Sequence, residues 1–77
     1  MTARENERAR HDVLHDLRLM YPKGMTVEAV QRIVFAQTGD MPGRVRVNTI
    51  MRPLIDQQLV GVRAGLYVAL APGPGAA

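Results

Sequence analysis

Arg44-Val45-Arg46-Val47-Asn48-Thr49-Ile50-Met51-Arg52-Pro53-Leu54-Ile55-Asp56-Gln57-Gln58-Leu59-Val60 joins a helical apolar stripe to a cationic outer surface, and its reading decides the fold. At about 100° per residue, Val47, Ile50, Met51 and Leu54 fall on one narrow face, while Val45, Asn48, Thr49 and Arg52 point the opposite way. Arg44 and Arg46 flank that outer face near the helix start. The stripe leads into Leu59-Val60 and then Gly61 to Leu70, two short β-rich runs around a glycine turn. A helix delivered straight into a small hairpin is therefore the organising unit.

Upstream, Asp40-Met41-Pro42-Gly43 is turn chemistry, with Pro suited to the first central position and Gly to a positive φ at the second. A helix opening at Arg44 then aims its first backbone N–H groups outward beside Arg44 and Arg46, an arrangement suited to a phosphate. Before the turn, a helix is expected over about 27–38. Thr26 is its N-cap, Glu28 sits in its first turn where the helix dipole favours negative charge, and Gly39 is its stop. Val27, Val30, Ile33 and Val34 line its buried face. Phe35 falls off that face and reads either as a contact with the N-terminal helix or as a partner surface.

A first helix is expected over about 3–20. Thr2 and Glu5 fit a capping box at its start, and Pro22 ends it because the residue before proline avoids the helical region. Val13, Leu14, Leu17, Met20 and Tyr21 form its stripe. The turns up to about Arg10 hold little apolar content and read as a solvated extension or a surface for a second subunit. His11-Asp12 and His15-Asp16 repeat at a spacing of four, which on a helix stacks two imidazoles. No Glu or Cys completes a ligand set there, so an exposed polar face is the stronger reading and no metal is assigned. Met25, after Pro22, is placed to join the edge of the hairpin.

Downstream, Pro53 removes one helical hydrogen bond and crowds the carbonyl of Thr49. A kink near 49–53 is expected, or else a break with a second short helix starting at Pro53; the helical region is taken as about 44–58. In the hairpin, about 59–70, Val60 and Val62 share one face and Leu66, Val68 and Leu70 share a face of the partner strand, with Arg63-Ala64-Gly65 at the tip. Residues 1–70 thus read as one domain. The tail 71–77, Ala-Pro-Gly-Pro-Gly-Ala-Ala, has nothing to bury and is expected to be disordered.

A chain of 77 residues buries only about 60% of the surface its unfolded form exposes. With 47% hydrophobic residues, no Trp and one Phe, the core must be aliphatic and Met-filled, which leaves no room for an enclosed catalytic cavity. There is no Cys, no Ser and no Gly-rich phosphate loop, so no catalytic residue or cofactor is assigned and an enzyme is not expected. No stretch has the apolar length of a signal peptide or membrane span, and a cytoplasmic protein is expected. The charge is unevenly spread. Residues 1–41 balance, whereas from 42 onward Arg44, Arg46, Arg52 and Arg63 face Asp56 alone, and 4 − 1 accounts for the whole net charge of +3. That asymmetry favours a polyanionic partner.

Three helices, the third leading into a two-stranded hairpin, resemble the winged helix-turn-helix family of DNA-binding domains, as in MarR-like, ArsR-like and other small bacterial or phage regulators. The resemblance covers about residues 8–70. Val47, Met51, Leu54 and Leu59-Val60, followed by Gly65, Tyr67 and Leu70, look like the family's recognition helix, its exit and its wing. It implies an α+β, mostly α, winged-helix fold. It also implies sequence-specific binding of double-stranded DNA by a small transcriptional regulator, with the helix 44–58 in the major groove. Val45, Asn48, Thr49 and Arg52 would then face the bases, Arg52 reaching a guanine edge and Asn48 an adenine edge. Arg44 and Arg46 would hold phosphates, and Arg63 would be the wing's only charge. A homodimer through the N-terminal helix is implied, with no small-molecule effector evident. Gln58 stands where the family very often has Gly, a substitution that is strained if the position needs positive φ. The alternative reading is a winged-helix protein-interaction module that docks a partner through Phe35, the N-terminal helix or Tyr67 without binding DNA.

Overall fold

A computed structural model describes residues 3–73. They form a small, mostly helical α+β fold: α1 (Ala3–Leu19), α2 (Val27–Thr38), α3 (Arg44–Asp56), then β1 (Val60–Arg63) and β2 (Leu66–Ala69) in one antiparallel sheet. The Thr2 half of the expected capping box and most of the expected tail, 74–77, lie outside the described residues.

Local chemistry sets the ends of α2. The Thr26 hydroxyl accepts from the Ala29 N–H at 3.1 Å, and Gly39, at φ 78°, donates its N–H to the Phe35 carbonyl at 2.8 Å. These satisfy groups that the helix itself leaves unpaired at both ends. A glycine is favoured at Gly39 because that left-handed φ strains a residue with a side chain.

The helix exit is more unusual. Gln58 takes φ 60°; its N–H reaches the Ile55 carbonyl at 3.0 Å, and the Leu59 N–H reaches the Leu54 carbonyl at 2.9 Å. This pair of bonds is a Schellman closure with Gln58 in the left-handed position, so Gln58 does occupy the site that favours glycine. The closure swings Leu59 onto the core and launches β1. The third helix consequently stops at Asp56, two residues before the expected 58. Pro53 does not break it: α3 runs continuously through the proline.

The core is a single aliphatic cluster. Val13 and Leu17 of α1, Val30 and Val34 of α2, Val47, Ile50, Met51 and Leu54 of α3, and Val60, Tyr67 and Ala69 of the hairpin all meet there, with Met25. Two parts of the expected α1 stripe are displaced. Met20 and Tyr21 fall in the turn after α1 and are exposed, while Ala9 is fully buried, so the core begins one turn earlier than apolar content suggested. Alanine is small enough for α1 to approach its neighbours closely at that point.

The hairpin keeps the expected grouping of side chains on each strand but has a shorter tip than Arg63-Ala64-Gly65, since Arg63 is the last residue of β1. Its loop is Ala64-Gly65, both at positive φ (51° and 77°), the signature of a two-residue type I′ turn. That turn sets the register Val60↔Ala69 and Val62↔Tyr67, and cross-strand partners share a face. Tyr67 and Ala69 therefore join Val60 in the core. Leu66, Val68 and Leu70 lie on the opposite face, where Leu70 is exposed. Val68 is still buried because the chain at Gly24 crosses over it: a Cβ on Gly24 would stand 2.9 Å from Leu66 Cβ and 3.0 Å from Val68 Cγ2. The next residue, Met25, exchanges both backbone hydrogen bonds with Tyr67 (2.7 and 2.9 Å), extending the outer edge of β2 as expected.

Candidate nucleic-acid interface

The inward face of α3 is locked. Val47, Ile50, Met51 and Leu54 are at most 4% exposed. Two polar ties from outside the helix add to that packing. Arg10 of α1 donates from Nε to the Ile50 carbonyl at 2.7 Å, and Gln31 of α2 donates from Nε2 to the Pro42 carbonyl at 3.0 Å. The first anchors α3 against α1; the second holds the turn that delivers it. A charge-assisted bond such as the first contributes about 1.5–3 kcal/mol.

With one face fixed, the other is presented by default. Val45 is 83% exposed, and Arg44, Asn48, Thr49 and Arg52 are exposed beside it. Arg46 is half-buried and makes no ion pair among the described residues. No side chain caps the start of α3, whose N-cap is Gly43, so its first amides keep their outward donors. The sequence thus places six of its seven predicted contact residues on one helix. Arg63, the seventh, is exposed at the turn end of β1, on a different element.

Asn48, Thr49, Arg52 and Pro53 line an open depression of about 430 Å³. Pro53 has no N–H to give the Thr49 carbonyl, so the usual i to i+4 bond is missing there. The Thr49 hydroxyl donates to the Val45 carbonyl at 3.1 Å, which commits its proton to the backbone.

Two carboxylates belong to this surface that were not among the expected site residues. Arg44 Nη2 lies 3.3 Å from Glu28 Oε1, and Arg52 Nε lies 3.4 Å from Asp56 Oδ1. The second pair was legible, since four residues along a helix bring side chains together. The first spans 16 positions and two helices, and no local pattern announces it. Elsewhere, His11 lies 3.8 Å from Asp12 on the exposed side of α1, and Gln37 of α2 bonds Asp12 across the α1–α2 junction. Among the described residues no group of three or more His, Cys, Asp or Glu side chains is gathered for a metal ion, and no helix is long and apolar enough to cross a membrane.

Comparison of the chain with protein-family models, with curated proteins and with solved structures found no match.

Proposed function

We propose that this chain is a winged helix-turn-helix domain that binds duplex DNA sequence-specifically, as a small transcriptional regulator, with α3 in the major groove. The observation that carries the reading is the division of α3: four core residues immobilise one face, while the opposite face offers Arg44, Asn48, Thr49 and Arg52 to solvent. A rigid helix with a polar, cationic outer face is the form that reads base edges in a groove about 12 Å wide. Arg44 and Arg46, next to the uncapped helix start, supply phosphate contacts that set register. Met25, β1 and β2 supply the small sheet, and Arg63 at its tip is the wing's cationic contact.

One domain reads one half-site, so specificity calls for a homodimer, placed here through the N-terminal helix. Among the described residues the apolar surface available at that helix is Leu19, with Met20 and Tyr21 just beyond it.

The test is fluorescence anisotropy on a random-sequence duplex across a salt series, for the native protein and for Arg44→Ala/Arg46→Ala/Arg52→Ala. The native protein is expected to bind with steep salt dependence, and the triple variant far more weakly, with a salt slope reduced by up to about 3. Absence of native binding at low salt sinks the DNA reading. The protein-interaction alternative then gains ground, because Phe35 on α2 is 47% exposed and Met41 in the following turn 58% exposed.

A further inference from the structure

Val45 stands at the centre of the outward face of α3, opposite the side that carries Val47, Ile50, Met51 and Leu54. It is 83% exposed, the highest value among the large apolar side chains of the described residues. The other apolar residues of α3 are buried or half-buried. A β-branched residue in that place does nothing for the fold, since it stiffens the chain at a small loss of helix propensity and buries almost no surface. Thr49, one turn on, extends the apolar character. Its hydroxyl donates to the Val45 carbonyl at 3.1 Å, so its proton is committed, and it can offer a partner only a methyl group and an accepting oxygen. The middle of the face therefore holds no free side-chain donor. By helical geometry Arg44, Asn48 and Arg52 lie to one side of it and Arg46 to the other.

One base edge suits such a surface. In the major groove thymine alone among the four bases presents a C5-methyl group. Cations on both sides of the apolar centre fit a partner that is anionic at its rims and offers methyl groups between them, which describes a duplex groove and not an apolar protein surface. Resting on the DNA reading above, we propose that Val45 is a specificity-determining residue that packs on the C5-methyl of a thymine, so that the preferred duplex carries a thymine against the first turn of α3. That turn is the part of a groove-bound helix whose residues contact base edges.

The experiment begins by selecting a preferred duplex from a randomised library with the native protein. Each thymine is then replaced singly by deoxyuridine, which lacks only the C5-methyl, and affinities are measured by fluorescence anisotropy for native protein and for Val45→Ala. The native protein is expected to lose about fourfold at one thymine of the half-site, the effect of removing one methyl from an apolar contact. Val45→Ala is expected to bind the thymine duplex about as weakly as the native protein binds the uracil one, and to lose less than about twofold on further replacement by uracil. Equal affinity of the two proteins for the uracil duplex is the control for folding. A preferred duplex in which no thymine registers the lost methyl overturns the proposal, as does native binding without sequence preference. So does a full uracil penalty retained by Val45→Ala; if that variant also loses self-association in sedimentation, Val45 meets a second copy of the chain instead. Native protein that binds no duplex is a different outcome: it removes the DNA reading, and this inference with it.

Discussion

Gln58 holds the left-handed conformation at φ 60° that turns α3 out into the hairpin. For an L-residue that conformation costs about 1–2 kcal/mol, and glycine avoids the cost while giving back roughly 0.5–1 kcal/mol of chain entropy in the unfolded state. The balance favours glycine, so Gln58→Gly is expected to raise stability by up to about 1 kcal/mol, read as a higher urea midpoint at unchanged slope. A drop in the midpoint would show that the Gln58 side chain makes a compensating contact. Ala64 sits in the same region of backbone space at φ 51°, followed by Gly65 at φ 77°. These two left-handed residues make the hairpin loop two residues long and so set which side chains of β2 face inward. The sequence marked Gln58 through its place in a pattern; it placed Ala64 at the tip beside Gly65 but did not mark its positive φ, because alanine carries no turn signal of its own.

At the scale of the element, α3 tolerates Pro53 because its neighbours fix the helix on both sides of it. Packing of Ile50, Met51 and Leu54 and the Arg10 bond to the Ile50 carbonyl outweigh the missing N–H. An internal proline costs about 3 kcal/mol. Pro53→Ala restores the bond to the Thr49 carbonyl but removes the contacts of a half-buried ring, and is expected to stabilise the fold by about 1–2 kcal/mol in chemical denaturation. The same substitution removes one wall of the depression lined by Asn48, Thr49, Arg52 and Pro53. Helix α2 shows the opposite economy: its ends, Thr26 and Gly39, were legible because a cap acts over three or four residues and leaves its residue types in the sequence.

At the scale of the whole molecule, Tyr67 ties the layers together. Its backbone pairs with Met25 and its side chain joins the shared core, only 7% exposed. Removal from water disfavours the phenolate and pushes the Tyr67 hydroxyl above its ordinary value of 10.0. The folded state therefore keeps the proton where the unfolded chain begins to release it. The stability tied to that proton is fully present below pH about 10 and is lost as pH rises through the raised value. Alkaline unfolding of native protein is expected to steepen above pH about 10, and Tyr67→Phe to decline more gently over the same range. Identical profiles would mean that another group governs alkaline unfolding. The charge distribution is also a property of the whole: the excess of four arginines over one carboxylate from residue 42 onward is offset in space by Glu28, which comes from the balanced half of the chain.

The amino-acid sequence by itself determined the three helices, the hairpin, and the inward and outward faces of α3. Each of these rests on a period or a cap that operates within a few residues: Val47, Ile50, Met51 and Leu54 recur with the helical turn, and the residues between them must point away. Tertiary structure alone decided which face of β2 joins the shared core, since a change of one residue in register exchanges Val68 for Tyr67 and Ala69. It also decided that Ala9 rather than Met20 belongs to the core, that Arg10 reaches Ile50 from 40 positions away, and that Glu28 stands against Arg44. Those outcomes depend on how helices settle against one another, and the free energy that settles them is shared across the core instead of being written at any one position.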